Sequence, residues 1–262
     1  MTTQTEKAAL FRRMHEERRA FVMANAWDIG SARQLTALGF EALGTTSAGL
    51  ALSLGLRDGV GEVGRDETLA NAHAIVRATH LPVSADLENG FADDPAGCAA
   101  TIHAAIDIGL AGGSIEDATG RPDDPIYPFE LAVARVRAAA EEAHSSGSDF
   151  VLTARAENFL HGRPDLDDTI ARLNAFAEAG ADVLYAPGLP DLRSIKAVCE
   201  AVDKPVNVLM GLDAPPLSVA DLAAIGVARI SMGSALARTA EAAMVHAASW
   251  IRERGTFVYF RH

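Results

Sequence analysis

At 262 residues the chain is long enough for one barrel-type domain or two smaller ones. Its net charge of -12 repels phosphate backbones and anionic lipid, so nucleic acid and membrane surfaces are excluded as expected partners. Cys98 and Cys199 lack metal-type spacing, and the first twenty residues are charged throughout with no signal-peptide core, so a reducing, cytoplasmic setting is expected.

Along the chain one pattern recurs: a helical run, a glycine, then a short apolar strand. It appears in "LTALGFEALGTT" (35–46), "AAIDIGLAGGSIED" (104–117), "AFAEAGADVLYAPG" (175–188) and "LAAIGVARISMGS" (222–234). Gly39, Gly109, Gly180 and Gly226 suit left-handed helix C-caps. In order, strands are predicted at 21–24, 41–45, 82–86, 112–116, 149–154, 182–185, 205–208 and 227–231. Helical segments separate them, including 67–78, 94–108, 127–145, 165–179 and 234–253. Eight βα units in this length predict a (β/α)8 barrel over 1–262, with 234–262 as a C-terminal helical extension. The alternative is a doubly wound open sheet, but no strand-GxGxxG-helix fingerprint supports dinucleotide binding.

A barrel of this type carries its chemistry at the C-terminal strand ends. Those ends read Asn25, Thr45-Thr46, Asp86, Glu116-Asp117, Arg155 and Asn207. Asp86 and Glu116 end consecutive strands, and such a pair either holds a hard divalent cation or shares a proton. Equally, each acid could cap a helix or pair with Arg155. Arg155 follows an apolar strand and needs an anion, either Glu116 or a substrate carboxylate held bidentately.

The stretch 45–59, "TTSAGLALSLGLRDG", reads as a small-residue loop whose Ser47, Ala48 and Gly49 N–H groups could cradle an anion, with Asp58 inside it. "ATGRPDDPIYP" (118–128) reads as a helix-free lid over the site. In "SMGSALAR" (231–238), a phosphate-binding helix start competes with ordinary capping by Ser231 or Ser234, which the composition favours. His161 follows the fifth strand end and is kept as a candidate acid or base.

"NAWDIGSARQLTALGFEALGTTSAG…SLGLRDG", "PVSADLENGF", "GGSIEDATG" and "LTARAENFL" together resemble the isocitrate lyase / phosphoenolpyruvate mutase superfamily over about residues 20–240. The resemblance implies a (β/α)8 barrel, Mg²⁺ (or Mn²⁺) and 2-oxo acid or enolpyruvate chemistry. It also implies a homotetramer or homodimer, with the helix at 242–255 exchanged between subunits. Asp86 and Glu116 match the metal-site acids, and Arg155 matches the substrate-binding arginine. Thr46, Ser47, Ala48 and Gly49 match the loop that contacts the substrate's acid group, and Asp58 matches a gating-loop acid. Asn207 joins the expected substrate contacts as a strand-end carboxamide.

Two departures stand out. The family's Asp-Ala-Asp strand is Ser84-Ala85-Asp86 here, and Glu88 is an extra acid expected to share its face and replace the lost carboxylate. Segment 118–128 contains no Cys, Lys or His, which counts against isocitrate and methylisocitrate cleavage, and the phosphonate enzymes' Lys-Thr-Asn-type segment is also absent. The expectation is therefore a Mg²⁺-dependent lyase or decarboxylase on a small oxaloacetate-like or 4-hydroxy-2-oxo acid, through a pyruvate enolate. Arg155, Asp58 and His161 are the expected catalytic side chains. The alternatives are a phosphonopyruvate hydrolase or phosphoenolpyruvate mutase, a 2-methylisocitrate lyase-like enzyme, and a non-catalytic ligand-binding barrel.

Overall fold

The computed structural model describes residues 3–17 and 19–261; positions 1, 2, 18 and 262 of the expected 1–262 span lie outside it. Eight parallel strands close on themselves: β1 Phe21–Asn25, β2 Ala42–Gly44, β3 Val83–Asp86, β4 Gly112–Glu116, β5 Val151–Arg155, β6 Val183–Tyr185, β7 Val206–Leu209 and β8 Arg229–Ser231. Pairing of β1 with β8, Val22 opposite Ile230, completes the barrel and rules out the open-sheet alternative.

Helix α1 (Gln4–Glu16) precedes the barrel, and α2 (Ile29–Ala37) follows β1. After β2 come α3 (Ser47–Leu54) and α4 (Arg65–Ala78); α5 (Pro95–Asp107) and α6 (Phe129–Ser145) follow β3 and β4. A 3-10 turn (Asn158–His161) and α7 (Leu166–Glu178) follow β5. The circuit ends with α8 (Leu192–Ala201), α9 (Val219–Ala224) and α10 (Ala235–Arg254). The recurrent glycines do what the pattern demands: φ is +88° at Gly39, +93° at Gly109, +110° at Gly180 and +92° at Gly226.

The expected loop at 45–59 is instead helical from Ser47 to Leu54. Ala and Leu between its serines favour a helix, and Thr46 caps it by accepting from the Gly49 N–H at 3.2 Å. A Cβ at Gly49 would lie 2.6 Å from Thr46 Cγ2 and 3.0 Å from Trp27 Cβ, so this glycine serves packing rather than the substrate. No helix among the described residues is long and apolar enough to cross a membrane.

At the N-terminal end, α1 plugs the barrel with Phe11, which packs edge-on to Phe21 and His15. Gly112 makes room: a Cβ there would meet Val151 O at 2.7 Å and Phe11 Cε1 at 3.0 Å. His15 Nδ1 lies 2.7 Å from the Phe11 carbonyl, so we assign the ring hydrogen there. Nε2 is then free to accept from Arg229 Nη1 at 3.2 Å. Burial, reinforced by the Arg229 charge, pushes the His15 pKa down to about 3. The unfolded chain thus binds a proton at this residue that the folded chain refuses, over the window between about 3 and about 6.5. Stability is full above that window and is lost as pH falls through it. Urea titrations should show His15→Gln with a flatter acid limb than the parent, by about 1 kcal/mol per pH unit between pH 4 and 6. Equal slopes would show that His15 does not titrate this way.

Candidate active site

Asn25, Asp86, Glu116 and Arg155 are the final residues of β1, β3, β4 and β5, so the mouth collects them as expected. Asn207 is corrected: it is the second residue of β7, Leu209 ends the strand, and the carboxamide sits a layer deeper. There it accepts from Arg229 Nε at 2.8 Å and donates to Ser231 Oγ at 2.9 Å, so it shapes the floor.

Arg155 is the hub. Its Nη1 lies 2.9 Å from Asp86 Oδ1, its Nη2 3.1 Å from Glu116 Oε2 and its Nε 2.7 Å from Glu157 Oε1. The guanidinium also lies 5.1 Å from the centre of the Tyr185 ring. Burial raises the pKa of Glu116 well above the usual carboxylate range and raises that of Glu157, with Arg155 opposing both shifts. Glu157 is itself anchored, because its N–H donates to Asp117 Oδ1 at 2.8 Å. Asp117 in turn pairs with Arg172 at 3.1 Å beneath the loops.

Helix α3 points its N-terminus at this group. The Ser47 N–H and hydroxyl both donate to Asp86 Oδ2, at 3.1 and 2.9 Å, while Thr45 Oγ1 accepts from the Asp86 N–H at 2.9 Å. The Ser47 N–H thus faces a protein carboxylate, and the Gly49 N–H serves the cap. Ala48 and Thr46 remain on the wall of the small cavity. Asp58 is exposed as a residue, yet its carboxyl lines that cavity. Its pKa is raised, first by partial desolvation and then by repulsion from Asp86.

Glu88 reaches the site by a route the strand pattern did not suggest. Strand β3 stops at Asp86, and Glu88 turns into the left-handed region at φ +47°, followed by Phe91 at +57°. Two non-glycine residues in that conformation mark stored strain beside the mouth. The side chain makes no ion pair among the described residues, and its pKa is pushed up to about 7 by burial, then by Asp86 and Asp58.

Two cavities border this group. The larger, about 920 Å³, lies between the segments 59–67 and 118–121 and is bordered by Glu88, Glu116 and the exposed His161. The smaller, about 230 Å³, runs from Ser47, Asp58 and Arg155 down past Tyr185 to Arg229. Segment 118–128 is tied down rather than free: Arg121 Nη1 bonds Asp93 at 3.0 Å, and Asn89 Nδ2 donates to Tyr127 Oη at 3.2 Å.

Among the described residues no three His, Cys, Asp or Glu side chains converge tightly enough to hold a metal together. The expected trio Asp86, Glu116 and Glu88 is therefore not closed on one point, because Arg155 occupies two of its members. The donor set still suits a hard cation, which needs only one or two carboxylates and completes its shell with water. In "SMGSALAR" the N–H groups of Met232 and Gly233 go to Asn25 Oδ1 at 2.8 and 3.0 Å, not to an anion. Ser234 precedes α10 without a side-chain cap, and Ser231 binds Asn207, so neither serine caps the helix. Glu157, Tyr185 and Arg229 were missed; a lone Arg in the apolar run "VARIS" was the one available signal for the last.

A family model described as phosphoenolpyruvate phosphomutase matches residues 11–252. The chain belongs to the isocitrate lyase / phosphoenolpyruvate mutase superfamily. It is thus an enzyme of a lyase and mutase superfamily. A Burkholderia cenocepacia J2315 crystal structure, described as a candidate lyase/mutase, shares 53% identity at a TM-score of 0.95, covering 98% of this chain and 92% of that one. The 2-methylisocitrate lyase of Escherichia coli K12 is 31% identical over 228 residues, 83% of this chain and 75% of the relative. An oxaloacetate decarboxylase from Pseudomonas aeruginosa is 30% identical over 237 residues, 88% of this chain and 80% of the relative.

The buried Asp117–Arg172 pair supports Glu157 and so the hub. Arg172→Met strands the buried Asp117 carboxylate and should cost about 3 kcal/mol in denaturant titration. A loss below about 1 kcal/mol would show that the pair is replaceable.

Proposed function

We propose that this chain is a divalent-metal-dependent lyase or decarboxylase that cleaves a small 2-oxo acid, oxaloacetate-like or a 4-hydroxy-2-oxo acid, to a pyruvate-type enolate. One observation carries the reading: Asp86, Glu88, Glu116 and Glu157 gather at the mouth, Asp58 stands over it, and among the described residues only Arg155 forms an ion pair with any of them. Such a surplus of carboxylates is unfavourable unless a cation joins it or some stay protonated. Mg²⁺, or Mn²⁺ in its place, would be held by Asp86, Glu116 and Glu88, directly or through water. When bound, the cation withdraws electron density from the carboxylate and keto oxygens of the substrate.

The chain's own groups then have separable tasks. Arg155 presents N–H donors to the oxygen on which charge grows, held in place by Glu157 and Asp86. Thr46, Ser47 and Ala48 form the wall that orients the substrate's acid end, with Asn207 fixing the floor below and Gly49 keeping α3 close to the barrel. As the bond between C3 and its departing carbon breaks, its electron pair stays on C3. Asp58, whose raised pKa helps it keep a proton, returns one to that carbon. His161, on the rim of the larger cavity, is the second proton carrier.

The absence of Cys, Lys and His from 118–128 favours this reading over the 2-methylisocitrate lyase one, and the decarboxylase relative fits it. We place the enzyme in the cytoplasm as a homotetramer or homodimer, with α10 packed on or exchanged with a second copy. The exposed Met244, Val245, Phe257 and Phe260 around that helix suit such burial.

Glu116→Ala should lower Mg²⁺-dependent oxaloacetate turnover on the order of 10²-fold or more. Chelator should abolish turnover in the parent, and added Mg²⁺ should restore it. Turnover that persists in chelator contradicts the proposal, and phosphate release from phosphonopyruvate would transfer the chemistry to a C–P bond.

A further inference from the structure

Below the mouth the barrel interior is polar and hollow. Ser84, Ser114, Asn207 and Ser231 line the small cavity, at depths where such barrels ordinarily carry branched apolar side chains. Arg229, only 2% exposed, reaches this cavity from β8. Its Nε donates to Asn207 Oδ1 at 2.8 Å, its Nη1 to His15 Nε2 at 3.2 Å and its Nη2 to Thr153 Oγ1 at 3.0 Å. All three acceptors are neutral, and among the described residues no carboxylate pairs with it. Three of the guanidinium's five N–H groups are used, which leaves two for a further acceptor.

A buried guanidinium without a counter-charge is unfavourable, and a folded chain retains one where an anion joins it. The contrast with Arg155 is instructive. At the mouth one arginine meets three carboxylates, whereas a layer below another meets none. Both border the same cavity of about 230 Å³, which has room for a small dicarboxylate. Ser84 and Ser114 line that space, and among the described residues no hydrogen bond engages their hydroxyls, so they can donate to an oxyanion there. Neutral His15 supports Arg229 from below without cancelling its charge.

We propose that Arg229 is the floor of a second anion subsite inside the barrel, which takes the terminal carboxylate of a dicarboxylic substrate whose reacting end lies at Arg155, a carboxylate that lies beyond the carbon departing from C3 and leaves with that fragment. That the occupant is the substrate rests on the function proposed above; that the subsite binds a carboxylate does not. The reading selects dicarboxylic 2-oxo acids over their monocarboxylic counterparts, and it assigns that selectivity to Arg229 rather than to the mouth.

Calorimetric titration of the full-length protein with succinate and glutarate, against butyrate and valerate, tests this. The parent should bind each dicarboxylate at least about tenfold more tightly than its matched monocarboxylate. Arg229→Met should bring that ratio close to one while leaving oxalate binding at the mouth within about twofold. Ser114→Asp, which puts a carboxylate into the cavity and leaves Arg229 in place, should also bring that ratio close to one, so the test survives if Arg229→Met fails to fold. A parent without the preference, or a preference that survives both substitutions, overturns the subsite. So does chloride binding with the same Arg229 dependence and no gain for dicarboxylates. If the ratios behave as expected but no Mg²⁺-dependent 2-oxo acid turnover is found, the subsite stands and the proposed function fails. The converse pattern separates them the other way.

Discussion

The structure at the mouth depends on one guanidinium shared among three carboxylates. Arg155 ends β5, and its acids come from the end of β3, the end of β4 and the residue two positions beyond its own strand. The contact therefore ties three neighbouring strands at the height where the chemistry is placed. Burying such a group is costly, and packed apolar side chains would fill the space with less penalty. Its value is orientation: with Asp86 and Glu157 fixed, Arg155 points its remaining donors in one direction. The surrounding loops extend that fixation, through the Glu157 N–H on Asp117 and the Ser47 hydroxyl on Asp86.

Around this hub charge is unevenly layered. Acids crowd the rim and a lone cation lies below, with Tyr185 and small hydroxyl side chains between them. Such layering suits a ligand that is anionic at its deep end and can chelate a cation at the rim. The strained turn at Glu88 to Phe91 belongs to the same arrangement. A regular continuation of β3 would leave Glu88 to strand alternation; the left-handed turn instead sets it on the wall of the larger cavity.

Much of this was legible in the chain. The eight strands lie within two residues of their expected bounds because apolar runs and glycine C-caps are local signals, and the four glycines do adopt positive φ. Four of the five strand-end polar residues lie where the barrel reading put them. Asn207 does not, because its depth depends on where β7 ends relative to its neighbours, which no local pattern encodes. The 47–54 helix was hidden by small residues that serve loops and helices equally. Glu88 was expected at the site for a reason that did not hold, since nothing in "DLENG" announces a left-handed glutamate. Arg229 required knowledge of what lies across the barrel, and the 45–59 loop expected to cradle an anion is instead helical from Ser47 and holds Asp86 through Ser47.

The central claim is that the acidic mouth is a cation site built around Arg155. A crystal grown with Mg²⁺ and oxalate tests it most directly. The account predicts one metal at the mouth, bound to at least one oxygen of Asp86, Glu116 or Glu88 at about 2.1 Å or through an ordered water, with oxalate chelating it and accepting from Arg155. Oxalate seated on Arg155 with no metal beside it, or a metal bound elsewhere, would contradict the account.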